Sequence, residues 1–173
     1  MNDSLTPQTR QIIFDSLRTK KNSYLFIEAL DYVSSNIYKG KVTSLEKHLE
    51  EISEDFKSVI LEIARLQSVD LGNKSEVQKL FASLSDLLKS ANVTIITLAF
   101  SPSESFINRL YVWFKTNLGG EQLLDVQVEP SVVGGLALIK EGHYVNLTLD
   151  KLLTDYFEAN KNGLKDNIQR RVS

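Results

Sequence analysis

The sequence predicts an α+β protein, with an N-terminal α-helical bundle followed by a small mixed β-sheet domain that has two packed helices. Up to about position 90, apolar residues recur every three or four positions, as on amphipathic helices. From Asn92 onward, β-branched apolar runs are separated by turn residues, as in a sheet. These patterns predict a helical domain at 1–90, an α/β domain at 91–163 and a polar tail at 164–173.

Capping residues and apolar stripes predict the first two helices. Thr6-Pro7 is typical of a helix start, because the hydroxyl caps free N–H groups and proline lacks one. We expect this helix to end near Lys20-Lys21, whose charges suit a helix C-terminus. An Asn22-Ser23 cap predicts the second helix, which ends at Gly40. Its apolar stripe is Phe26, Leu30, Val33 and Ile37.

The third and fourth helices have longer stripes. Thr43 and Glu46 match a capping box, and the stripe that follows predicts one continuous helix of about six turns. That stripe consists of Leu45, Leu49, Ile52, Phe56, Val59, Ile63 and Leu66. A fourth helix is predicted from a Ser75 cap after the break at Gly72-Asn73. Its stripe consists of Val77, Leu80, Phe81, Leu84, Leu87 and Leu88.

The pattern after residue 91 predicts the order β-α-β-β-β-α. The run 93–100 is apolar on both faces, as expected of a central strand, and Ser101-Pro102-Ser103-Glu104 begins a helix that ends at Gly119-Gly120. We expect this helix to face inward through Phe106, Leu110, Trp113 and Phe114. A second strand covers 124–129.

The stretch 129–139 organises the C-terminal half. Gly134-Gly135 lies where a strand begins, and glycine there indicates a bend or a close backbone approach. Glu141-Gly142 predicts a turn, and a short return strand begins at His143. The final helix has a stripe that we expect to close the unit: Leu149, Leu152, Leu153, Tyr156 and Phe157.

Composition argues against several classes of function. The chain carries 20 basic and 22 acidic residues, so it has no excess of positive charge for nucleic acid. It has no cysteine, which removes disulfides, thiolate metal sites and cysteine nucleophiles. The N-terminus lacks the features of a signal peptide, and no apolar run approaches the roughly 20 residues that span a bilayer.

Catalytic motifs are absent from the sequence. His48 and His143 fall in different predicted domains, and neither has a ligand-spaced neighbour. Gly134-Gly135 lacks a phosphate-loop pattern, and Ser131 lacks a nucleophile elbow. The sequence therefore predicts no catalytic, cofactor or metal residue, and it favours a protein-binding adaptor over an enzyme. A small α+β enzyme with a polar pocket around His143 and Glu141 remains the unrelated alternative.

Residues of the C-terminal half resemble the delta subunit of F-type ATP synthases, the family that includes the oligomycin sensitivity-conferring protein. The family carries an Asp-Pro-Ser-aliphatic-aliphatic-Gly-Gly stretch, which is similar to Glu129-Pro130-Ser131-Val132-Val133-Gly134-Gly135 here. Its last helix opens with Asp-Gly-Ser, where this chain has Asn146-Leu147-Thr148. We expect Asn146 and Thr148 to keep the turn and cap hydrogen bonds of that triplet.

The resemblance implies a stator subunit in the peripheral stalk, without a cofactor or a catalytic role. Its N-terminal domain would bind alpha subunits of the catalytic head, and its C-terminal domain would bind b-type stalk helices. It would lie at the cytoplasmic face of a bacterial membrane without inserting into it. The family bundle has six helices, whereas the pattern here predicts four. A near alternative is the E subunit of V/A-type ATPases, although the breaks at Pro7, Gly40 and Gly72 argue against its long stalk helix.

Overall fold

The computed structural model describes residues 5–39 and 45–160. The helices within these ranges are α1 (Pro7–Leu17), α2 (Lys20–Lys39), α3 (Leu45–Leu49), α4 (Glu54–Leu66), α5 (Lys74–Lys89), α6 (Glu104–Leu118) and α7 (Leu149–Ala159). The strands are β1 (Asn92–Leu98), β2 (Gln122–Val128), β3 (Gly135–Lys140) and β4 (His143–Thr148). The predicted residues Gly40 and Thr43, and the tail 164–173, lie outside the described ranges.

The four strands form one mixed sheet in the order β2-β1-β3-β4. Strand β3 pairs antiparallel with β1 and with β4, and the register places Leu138 opposite both Ile96 and Val145. The α+β class and the order of helices before sheet are confirmed. The predicted hairpin is also confirmed, because Glu141 and Gly142 form the turn between β3 and β4 with positive φ angles of 50° and 80°.

Backbone contacts divide the chain into two compact units. Unit 1 comprises Met1–Val93 and Ile107–Asp125, and unit 2 comprises Thr94–Phe106 and Val126–Ser173. The first border lies close to the predicted one near residue 90. The segment Ile107–Asp125, which the sequence pattern places in the C-terminal domain, groups with the helices of unit 1.

Polar contacts within unit 1 explain why most of α6 belongs to it. The Tyr111 hydroxyl donates to Asp15 Oδ1 at 3.0 Å, and Lys115 Nζ lies 2.7 Å from the same oxygen. Burial and then the Asp15 hydrogen bond raise the pKa of Tyr111. Arg10 donates twice to the Glu121 carboxylate, at 2.9 and 2.7 Å. These side chains therefore connect α1 to α6 and to the segment that follows it.

The core of unit 1 is built from the predicted stripes. Phe26, Leu30 and Val33 of α2 are no more than 1% exposed, and Leu84 of α5 is fully buried. The rings of Phe26 and Phe56 meet edge to face with their centroids 5.3 Å apart, which joins α2 to α4. The apolar stripes of α2, α4 and α5 thus pack against one another as a helical bundle requires.

The predicted single third helix is wrong, because the chain forms α3 and α4 with a break at 50–53. The N–H groups of Glu50 and Glu51 bond three residues back, to Lys47 and His48. Ser53 then adopts extended backbone, and its hydroxyl accepts from the Phe56 N–H at 3.3 Å, so it caps α4. The spacing of the stripe continues through this turn, which is why periodicity alone did not reveal the break.

One predicted helix end and two predicted helix starts are also wrong. Helix α1 ends at Leu17, so Lys20 and Lys21 lie in the first turn of α2 rather than at a C-terminus. Thr19, not Asn22-Ser23, is positioned as the cap of α2, because its hydroxyl accepts from the Asn22 N–H at 3.2 Å. Helix α5 is capped by Asn73, whose side chain accepts from the Ser75 and Glu76 N–H groups. For α2 and α5, the residue that caps the helix is thus a polar residue two or three positions before the predicted cap.

Helix α6 differs from prediction on its apolar side. Tyr111 and Phe114 are buried at 2% exposure each, whereas the predicted inward residue Trp113 is 54% exposed. The two neighbouring rings, Trp113 and Phe114, still meet edge to face at 5.2 Å between centroids. Phe114 therefore provides the core contact, and Trp113 lies on the surface.

Candidate functional site

The residues of the predicted motif form a tight turn between β2 and β3. The Glu129 backbone N–H donates to the Leu98 carbonyl of β1 at 2.8 Å. Its carboxylate accepts from the Ser131 N–H at 3.1 Å, and hydrogen bonds from the Ser131 side chain and then its backbone lower the pKa of Glu129. Pro130 has no N–H to satisfy, which suits an exposed turn. The role of these three residues is to fix the path of the backbone.

The two glycines let the chain pass close to β4. Gly134 and Gly135 have φ angles of +65° and +75°, a region that favours glycine. A Cβ on Gly135 would lie 2.2 Å from the Leu147 carbonyl oxygen, so no other residue fits without displacing backbone. The expected close backbone approach is confirmed at this position.

Asn146 and Thr148 control the start of α7. The Asn146 side-chain oxygen accepts from the Thr148 N–H at 3.0 Å, and the Thr148 hydroxyl accepts from the Lys151 N–H at 3.3 Å. The expected turn and cap hydrogen bonds are therefore confirmed. The Leu149 N–H also donates to the Val133 carbonyl at 3.1 Å. Four of the motif residues, Gly134, Gly135, Asn146 and Thr148, thus lie together at the start of α7. Glu129, Pro130 and Ser131 shape the turn that precedes β3.

The apolar stripe of α7 is exposed, which contradicts the expectation that it closes the unit. Its spacing of i, i+3, i+4, i+7 and i+8 places all five residues on one face of the helix. Their exposures are 48% for Leu149, 55% for Leu152, 44% for Leu153, 58% for Tyr156 and 53% for Phe157. We call this set the α7 stripe. No residue of α7 is buried. The helix forms because of its cap and spacing, but within the described part of the chain its apolar face has no covering layer.

Strand β4 adds exposed apolar side chains that were not predicted from the sequence. Tyr144, Val145 and Leu147 are 62%, 41% and 49% exposed. Neighbouring residues of a strand point to opposite faces, so both faces of β4 are incompletely covered. β4 is also the last strand in the sheet order. Its position after a hairpin and directly before an amphipathic helix was the signal that could have identified it as an exposed edge.

The polar groups considered for chemistry are dispersed. Glu141 and His143 are both exposed at the β3–β4 turn, and they do not line a deep polar pocket. His48 lies in unit 1, with its Nδ1 3.7 Å from the Glu51 carboxylate. Across the described residues, no group of three or more histidine, cysteine, aspartate or glutamate side chains could hold a metal ion. The best-defined feature of unit 2 is therefore the exposed apolar surface around α7 and β4.

No protein-family model matches the chain, and no curated protein matches it either. Among the described helices, none combines the length and apolar character needed to cross a bilayer.

Proposed function

We propose that this protein is a peripheral-stalk subunit of an F-type ATP synthase, similar to the delta subunit family. In this role unit 1 binds the alpha subunits of the catalytic head, and unit 2 binds the ends of b-type stalk helices. The protein holds the stator against the torque of the rotor and catalyses no reaction. It is a peripheral member of a complex at the cytoplasmic face of a bacterial membrane.

The observation that carries the proposal is the exposed α7 stripe, on a helix whose first turn is capped by Thr148. An amphipathic helix with an uncovered apolar face is suited to bind a second amphipathic helix. Exposed apolar area of this kind marks protein-binding surfaces on otherwise polar proteins. The hydrogen bonds of Asn146 and Thr148 support the proposal further, because they give two of the resembling residues a common task at the start of α7.

Mechanical function agrees with how the two units are built. Unit 1 has a continuous apolar core and cross-element ion pairs, which resist deformation. Unit 2 buries less of its apolar surface and presents it on α7 and β4. A stator subunit needs a rigid domain and a protein-binding surface, and it needs no catalytic group.

The test is affinity capture of the tagged full chain from membranes of its source organism. Leu152→Lys places a charge in the α7 stripe, and Thr154→Lys adds the same charge to the same helix outside the stripe. We expect wild type and Thr154→Lys to recover alpha, beta and b-type subunits. Leu152→Lys should lose b-type subunits by at least tenfold, because the buried charge would oppose helix docking.

Three outcomes would contradict the proposal. If the wild-type chain recovers no F-type subunits, the assigned complex is wrong. If Leu152→Lys recovers b-type subunits as well as Thr154→Lys does, the assigned surface is wrong. Recovery of V/A-type subunits instead would favour the E-subunit alternative, although the longest described helix, α2, has 20 residues and is shorter than a stalk helix would require.

A further inference from the structure

Unit 1 contains an apolar groove with a basic rim, remote in sequence from the α7 stripe. The groove has a volume of about 560 Å³ and lies between the first turns of α2 and the end of α5. Its volume falls in the range of roughly 300–1,000 Å³ typical of binding pockets. Leu88 forms part of a buried floor at 4% exposure, whereas Tyr24 and Leu25 are 62% and 42% exposed. We call this the α2–α5 groove.

The charges around the groove are unbalanced. Lys20, Lys21 and Lys89 line it, and Asp125 is the carboxylate that lines it with them. Asp125 pairs with Lys20 at 3.1 Å. Glu28, which bonds to the Tyr24 hydroxyl, does not line the groove. Two lysine charges therefore remain without a carboxylate from the lining.

The helix geometry adds to this positive field. Lys20 and Lys21 occupy the first turn of α2, which contains no acidic residue. The N-terminus of a helix carries a partial positive charge, so acidic groups are favoured there and lysines are not. A partner carboxylate placed at this end of the groove would interact favourably with both the helix end and the lysines.

We propose that the α2–α5 groove binds an amphipathic segment of a partner protein, with apolar residues in the groove and two or more carboxylates at the lysine rim. The exposed Tyr24 and Leu25 provide apolar contact, and Lys21 and Lys89 provide the charge contacts. An acidic segment fits better than a fatty acid, because a fatty acid brings one carboxylate to a rim with two uncompensated lysines. The observation behind the stalk proposal is the α7 stripe of unit 2, whereas this inference is argued from the α2–α5 groove of unit 1, so either can fail without the other.

The probe is a fluorescently labelled synthetic helical peptide with a leucine stripe flanked by glutamates. Its binding to the full chain is measured by anisotropy. Lys21→Glu combined with Lys89→Glu should weaken binding at least about tenfold, because two attractive pairs become repulsive. Lys47→Glu makes the same kind of charge change on α3, outside the groove, and should leave binding unchanged. A peptide with lysines in place of the glutamates should bind at least tenfold more weakly than the acidic one.

Chemical-shift mapping on the wild-type chain provides a readout that depends on no variant. The acidic peptide should shift the amide signals of Tyr24, Leu25 and Leu88. Shifts confined to α7, equal binding of the basic peptide, or binding unaffected by the double lysine variant would each overturn the proposal. Binding of oleate at this site without binding of the peptide would also overturn it, in favour of a lipid pocket.

Discussion

Helices α5 and α7 have the same kind of sequence and opposite surroundings. Each begins after a polar cap and repeats apolar residues at three- and four-residue steps. The stripe of α5 is at most 8% exposed, whereas that of α7 is at least 44% exposed. The comparison teaches that an amphipathic pattern predicts a helix with an apolar contact. It does not predict whether the same chain or another molecule supplies that contact.

The largest expected effect tests this contrast directly. Leu84→Ala in α5 should lower the free energy of unfolding by about 2–5 kcal/mol, because it removes a fully buried side chain and leaves a cavity. Leu152→Ala in α7 should change it by no more than about 0.5 kcal/mol, because the side chain is already 55% exposed. Urea unfolding followed by circular dichroism measures both. Equal losses would mean that α7 is buried in solution.

The next prediction tests whether the close backbone contact between Gly135 and Leu147, just before α7, is as rigid as the core of unit 1. Gly135→Ala should cost about 1–2 kcal/mol for the left-handed backbone. The Cβ contact with Leu147 should cost a further amount of about 1–3 kcal/mol. The control is Gly142→Ala, which has a similar φ of +80° but no atom within 4 Å of the added Cβ, so only the backbone cost remains. If the two variants lose the same free energy of unfolding, the backbone at Gly135 can move away from Leu147, and the close approach of β3 and β4 is not rigid.

A smaller effect compares the caps of a packed and an unpacked helix. Ser53→Ala and Thr148→Ala each remove a hydroxyl that accepts a 3.3 Å hydrogen bond, and each should cost about 1 kcal/mol. For Ser53 the loss should appear in the unfolding of unit 1, since α4 packs through Ile60 and Ile63. For Thr148 it should appear as faster hydrogen exchange within α7. If the α7 amides exchanged only through global unfolding of the protein, α7 would be packed, which would contradict its exposure.

The smallest effect is a pH dependence in unit 1. The hydrogen bond from Arg10 holds the pKa of Glu121 below its ordinary value of 4.5. A lowered folded-state pKa contributes stability above the unfolded-state pKa, and this contribution disappears as the pH falls through the folded-state value. The pair is partly exposed, with the Glu121 side chain at 48%, so the contribution should be below about 1 kcal/mol. Glu121→Gln should therefore be slightly destabilised at pH 7 and match wild type well below pH 4.5. A difference that persists in acid would assign the effect to packing.

Local signals in the sequence predicted the elements but not all of their limits. The Thr6 cap, the Glu141-Gly142 turn and the Asn146–Thr148 hydrogen bonds were predictable because each depends on neighbouring residues. The break before Ser53 was not predicted, because the stripe keeps its spacing through the turn. The caps of α2 and α5 were misplaced because several adjacent polar residues can cap a helix, and local propensity does not rank them.

The sequence predicted the glycines that constrain the backbone of the candidate site, but it did not predict the exposed apolar residues of β4. Gly134 and Gly135 were identified because glycine at a strand start implies a backbone constraint. The exposure of Tyr144, Val145 and Leu147 was not predicted, because an apolar residue has the same sequence pattern on a covered strand and on an exposed edge. Trp113 was assigned to the core because the apolar spacing of a helix does not show which of two adjacent aromatic residues is covered.

The sequence by itself determined the fold class, the strands, the hairpin and the helices other than the break between α3 and α4, because these depend on the period of apolar residues and on short-range hydrogen bonds. Only the tertiary structure decided which apolar faces are covered and that 107–125 packs with the helical unit. It also decided that Lys20 and Lys21 border a groove. Burial is a property of residues distant in the chain that come together, and no local pattern encodes which of them do.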